Sequence, residues 1–146
     1  MEQKNIMLIT DKFLQPPFSV KDAVRMFGPI KDDTLPNWII LDPKIDNVEL
    51  VKLEYIEIDD GDAKEKFLAS ILIRFIDTIH ISFPNLYKEF GKPDELVRLH
   101  PDSDIPYRFK IDGKPLKGAL VLYVKGRTSK DLQPVHSIKF VRYPKE

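Results

Sequence analysis

Ser19-Val20-Lys21-Asp22-Ala23-Val24-Arg25-Met26-Phe27-Gly28 and Ser82-Phe83-Pro84-Asn85-Leu86-Tyr87-Lys88-Glu89-Phe90-Gly91 are two copies of one cassette, and their reading decides the expected fold. Each opens on a serine, whose hydroxyl can accept a bond from an orphan N–H of a first helical turn. Val20, Ala23, Val24 and Phe27 follow at i, i+3, i+4 and i+7, one face of an α-helix. Phe83, Leu86, Tyr87 and Phe90 repeat that spacing. Gly28 and Gly91 stand where a helix ends on a positive φ, and Pro29 and Pro93 prevent continuation. Pro84 falls in the first turn, where its missing N–H does little harm.

Outward from the cassettes the spacing changes to that of strands. Ile105, Tyr107, Phe109 and Ile111 alternate with Pro106, Arg108, Lys110 and Asp112, which predicts a half-buried strand. Phe67 to Phe75 alternates in the same way, and Ile79, Ile81 and Phe83 continue it into the second helix. Ala119 to Val124 is apolar on both faces and suits a central strand. Val48 to Ile58 is rich in β-formers but changes its apolar phase, which predicts a bulge or bend. His136 to Tyr143 closes the chain as a last strand, and Gly126 to Pro134 reads as a surface loop.

The resulting order is strand, helix, about three strands, helix, about three strands. It predicts an α+β fold: two tandem helix-plus-antiparallel-strand repeats, with helices packed on one face of a mainly antiparallel sheet. The 146 residues form a single domain in this reading, with repeats at about 6–76 and 77–144. Ile40-Leu41-Asp42-Pro43 parallels Arg98-Leu99-His100-Pro101, and Asp59-Asp60-Gly61 parallels Asp112-Gly113, which extends the similarity past the helices.

The pattern Ser-x-x-x-Leu-x-x-x-Phe-Gly-Lys-Pro at Ser82 to Pro93, followed by antiparallel strands, resembles the tandem-repeat β-lactamase-inhibitor-protein-like architecture. That group includes small envelope lipoproteins of the SmpA/OmlA kind. The resemblance implies a curved sheet that presents side chains to another protein.

Composition excludes several chemistries. With no cysteine there is no disulfide, zinc–thiolate site or cysteine nucleophile. Lys plus Arg and Asp plus Glu number 23 each, so no net charge draws the chain to nucleic acid or an anionic membrane. No apolar run approaches the roughly 20 residues that span a bilayer. Met1 to Thr10 lacks the features of a signal peptide, so a cytoplasmic chain is expected, or a periplasmic one if a native leader is missing. His80, His100 and His136 show no metal-ligand spacing, and the six glycines form no phosphate loop. The acids Glu57, Asp59, Asp60 and Asp62 lack the terminal glutamate of a calcium loop and read as a solvated hairpin turn. No enzyme, cofactor or metal is expected.

What remains is a protein-binding module of the kind that bacterial immunity proteins and inhibitors represent, blocking a toxin or hydrolase by occlusion. The expected contact residues are strand aromatics, Trp38, Tyr55, Tyr107 and Tyr123, which suit a hot spot. The acidic turns Asp59, Asp60 and Asp62, and Asp102 and Asp104 with His100, would steer a partner. An envelope or assembly scaffold and a small-molecule-binding protein are the alternatives.

Overall fold

The computed structural model describes residues 1–61, 63–126, 128 and 130–145. The chain begins with a helix, α1 (Gln3–Phe13), where the sequence reading expected a strand. Ile6, Ile9, Thr10 and Phe13 recur at helical spacing and are all buried. The Glu2 N–H donates to Asn5 Oδ1 at 2.9 Å and closes the first turn. A short apolar run fits both periods, and here the helical one wins because its four members make one face.

The two cassettes fold as helices over the expected residues, α2 (Val20–Phe27) and α3 (Phe83–Phe90). Asp22 reaches back to accept from the Ser19 N–H at 2.7 Å, and Ser82 Oγ accepts from the Asn85 N–H at 3.4 Å. Both helices end on glycines of positive φ, Gly28 at 145° and Gly91 at 83°.

Eight strands make up the rest: β1 (Ile30–Asp32), β2 (Trp38–Leu41), β3 (Val48–Asp60), β4 (Ala63–Ser82), β5 (Asp94–Glu95), β6 (Ile105–Ile111), β7 (Gly118–Val124) and β8 (Leu132–Arg142). They form one sheet in the order β1-β2-β3-β4-β8-β7-β6-β5, every pair antiparallel. Four consecutive strands lie on each side of the β4–β8 seam. Both edges are very short strands, which limits edge-to-edge association.

This architecture corrects the expected α+β layering. The fold is dominated by one antiparallel sheet, with three short helices among the described residues. Length explains the difference. A helix of eight residues spans about 12 Å, whereas the 20 residues of β4 extend about 65 Å. Helices that short fill gaps in the core and do not make a layer. The expected boundary between repeats, at residues 76 and 77, falls inside β4.

The core lies on one face of the sheet. Leu53, Ile71, Ile73, Phe109, Leu120, Leu122, Ile138 and Phe140 meet Ile6, Phe13, Phe27 and Leu86 of the helices in one cluster. Arg142 is buried among them, at 5% exposure, and forms no ion pair with a carboxylate among the described residues. Its guanidinium donates to three carbonyls: Leu68 at 2.6 Å, Phe13 at 3.2 Å and Phe18 at 3.1 Å. The rings of Phe13 and Phe67 lie 4.5 and 4.9 Å from its Cζ. One side chain thus ties the α1–α2 connection to β4 and β8. Burial pushes its pKa down to about 10, and it remains a cation at neutral pH.

Candidate functional site

The opposite face of the sheet is built by the alternate residues of the same strands. Register defines its rows. One runs Ile40, Lys52, Leu72, Lys139, Val121, Arg108, Asp94 from edge to edge. A second runs Trp38, Glu54, Ser70, Val141, Ala119, Lys110, and a third Leu50, Arg74, Ser137, Tyr123, Pro106. None of these side chains belongs to the core cluster. The central strands β4 and β8 contribute Ser70, Leu72 and Arg74 and Ser137, Lys139 and Val141, so apolar, hydroxyl and cationic side chains mix at the centre, and the charges on the face carry both signs.

Those charges are partly paired within the face. Arg74 Nε meets Glu49 Oε2 at 3.1 Å, and Arg108 and Lys110 share Asp94 at 3.2 and 3.7 Å. The Arg108 Nε is buried without a hydrogen-bond acceptor among the described residues. At one margin Trp38 remains 42% exposed. Its Nε1–H donates to Glu54 Oε2 at 3.1 Å, and Lys52 Nζ lies 4.3 Å from the ring centroid. The indole is held in place by these contacts and still presents an apolar surface.

At the other margin the connection from β5 to β6 rises beside Tyr123. Leu96, Val97, Arg98, Leu99, Ser103, Asp104 and Pro106 enclose with it an open groove of about 440 Å³. Burial raises the Tyr123 phenol above its ordinary pKa. Asp104 Oδ2 lies 3.0 Å from His136 Nδ1, next to the groove. A shift of register between Tyr123 and Val124 against β8 lets both His136 and Ser137 fall between the core positions Val135 and Ile138.

The structure therefore brings together some of the expected site residues and separates others. Trp38, Tyr123 and Asp104 share the uncovered face. Tyr107 does not, being buried against Phe83 with ring centroids 5.3 Å apart. Tyr55 is turned to the core side as well. The register shift after Glu54 pairs Tyr55 with the buried Leu68, and burial raises its phenol pKa. His100 and Asp102 are exposed in the turn before β6, with the His100 N–H donating to Ser103 Oγ at 3.3 Å. Asp59 is exposed near the end of β3, and Asp60 is its last residue; Asp62 lies outside the described residues. From Ile56 onward β3 pairs only with β4, so this hairpin projects as an arm beyond its neighbours β2 and β8.

Sequence reading missed His136, Lys139, Val97 and Leu99. The His136–Asp104 pair joins β8 to the end of the connection that leads into β6, across β7, and no spacing along the chain announces it. Val97 and Leu99 carried a signal, two branched aliphatics in a segment with no strand or helix period. Among the described residues no cluster of three or more His, Asp or Glu is placed to hold a metal ion. Among the described residues no helix is long and apolar enough to cross a membrane. The chain matches no family model, no curated protein and no solved structure.

Proposed function

We propose that this chain is a protein-binding module that occludes a toxin or enzyme with the uncovered face of its sheet, in the manner of an immunity protein or inhibitor. The observation that carries the reading is the unequal treatment of the two faces. One carries the core cluster, and the other sets Trp38, Ile40 and Leu72 among charges of both signs, with Val121 buried between them and Tyr123 lining the groove beside the β5–β6 connection. Aromatic side chains and aliphatics interspersed with charges of both signs have the composition of a protein-binding surface. The acidic arm at Glu57 and Asp59 suits steering of a basic partner.

The test is affinity purification from the native host on immobilised chain, beside co-expression with any toxin or hydrolase so captured. A stoichiometric partner, lost with Trp38→Ala and Lys139→Glu but kept with Lys21→Ala on α2, is the expected result. No stoichiometric partner, together with no protection of cells, overturns the reading. The groove beside Tyr123 favours a second reading, a small-molecule-binding protein. It predicts a large thermal shift with one compound class and loss of that shift with Tyr123→Ala.

A further inference from the structure

The charges on the rows of the uncovered face balance in one half of the sheet and not in the other. Over β2, β3 and β4, Arg74 pairs with Glu49, and Lys52 and Glu54 hold the Trp38 indole between them. Over β8, β7, β6 and β5 the same rows bring three cations, Lys139, Arg108 and Lys110, beside one carboxylate, Asp94. We propose that this half binds an acidic protein surface, with a carboxylate of the partner seated over Val121 between Lys139 and Arg108. The proposal rests on the reading of the face as a protein-binding surface and names the charge that its partner brings.

Register gathers the three cations around one strand. Val121 of β7 lies between Lys139 of β8 and Arg108 of β6, and Ala119, two residues away on the same face, lies beside Lys110. The backbones of β8 and β6 run about 10 Å apart, so two long side chains can meet one group placed over the strand between them. Ala119 and Val121 are 3% and 6% exposed although neither belongs to the core cluster. The aliphatic stems of the flanking cations shield them and leave the charged ends outermost.

These cations lack counter-charge. Lys139 is half-buried, its cross-strand neighbours Leu72 and Val121 are aliphatic, and it pairs with no acceptor among the described residues. Asp94 meets Arg108 at 3.2 Å and Lys110 at 3.7 Å through the same oxygen, at the edge of the sheet. The Arg108 Nε is left without an acceptor among the described residues. A second carboxylate over Val121 would supply two more oxygens to charge-assisted hydrogen bonds.

The rest of the face selects the kind of anion. A nucleic-acid backbone carries a charge at every nucleotide, and along these rows it would also meet Asp94, Glu54 and Glu49. A folded protein brings single carboxylates among apolar side chains, which suits cations set beside Trp38, Ile40 and Leu72. The acidic arm lies beyond β2 and β8 and addresses a different part of the partner.

A deca-glutamate peptide, titrated at low salt into the isotope-labelled chain and followed by amide chemical shifts, tests the proposal. Saturable shifts at Arg108, Lys110, Ala119, Val121 and Lys139 are expected. Lys139→Met should weaken binding about tenfold with an unchanged melting temperature, and Lys21→Met on α2 should leave binding as it was. No saturable shift on these strands overturns the proposal, as does equal weakening by both variants. Tighter binding of an oligothymidylate of equal charge to the same amides overturns it too. The two readings fail separately. Peptide binding with no toxin or enzyme captured leaves the charge assignment standing and removes occlusion; a captured partner held equally by wild type and Lys139→Met removes the charge assignment alone.

Discussion

Arg142 joins the end of α1 and the α1–α2 connection to β4 through three backbone carbonyls. Its Nε, Nη1 and Nη2 donate from three places in one plane to the carbonyls of Leu68, Phe13 and Phe18, whereas the three donors of a lysine ammonium sit on a single nitrogen. Replacing it with methionine keeps the volume and removes the donors. Three carbonyls then lose their partner in a dry site, each at a cost of about 1–3 kcal/mol, so Arg142→Met should destabilise by about 3 kcal/mol or more in urea titration. Arg142→Lys should recover only part of that. The folded pKa of about 10 lies below the ordinary guanidinium value, so the unfolded chain binds the extra proton. Stability contributed by this group is therefore flat below about pH 10 and rises above it; any loss of stability in acid comes from elsewhere. Nothing in the sequence marked Arg142, which reads as the polar member of an alternating strand. The inward turn of Tyr55 was half legible, because the changing apolar phase of Val48 to Ile58 announced a bulge but not which side chain it would redirect.

At the scale of the element, the cassettes were legible because caps and periodicity are local. Serine, an i, i+3, i+4, i+7 apolar set and a closing glycine specify a helix whatever surrounds it. What the cassettes could not reveal is that their two glycines do different work. Gly91 needs only its positive φ, since a Cβ there meets nothing. A Cβ on Gly28 collides with the carbonyl oxygen of Asp42, because α2 ends against the strand β2 and the turn that follows it. Gly91→Ala should thus cost about 1–2 kcal/mol, the penalty of left-handed backbone alone. Gly28→Ala should cost at least twice as much in the same denaturation experiment, and equal losses would remove the close approach from the account. The cap of α2 also titrates. The Ser19 N–H holds the Asp22 carboxyl below its ordinary pKa, so its contribution is present above about 3.9 and is lost as pH falls through the depressed value. The difference in melting temperature between wild type and Asp22→Ala should shrink on acidification through that window.

For the whole molecule, the long strands were legible one by one, but the short edge strands and the dominance of the sheet were not. Periodicity told strand from helix except at α1, and only the strand order shows that β4 and β8 join both groups of four strands into one sheet. Uncovering one face of that sheet is what makes a candidate site out of residues as far apart in the chain as Trp38 and Lys139. The same topology predicts a gradient of local stability. Ile71, Ile73, Leu120, Leu122, Ile138 and Phe140 sit in strands paired on both sides and fully within the core. Their amides can exchange with solvent only when the whole sheet opens. The arm from Ile56 to Asp59 and at Lys66 pairs only across its own hairpin and buries little. Its amides can be released by fraying that leaves the sheet intact. Native-state hydrogen exchange should therefore give one common, slowest class for the six core amides, with a free energy equal to that of global unfolding. The arm should exchange orders of magnitude faster and with almost no dependence on denaturant. If the β4 and β8 amides instead separated into two classes, the seam would be a boundary between independently unfolding halves, and one cooperative sheet would be the wrong description.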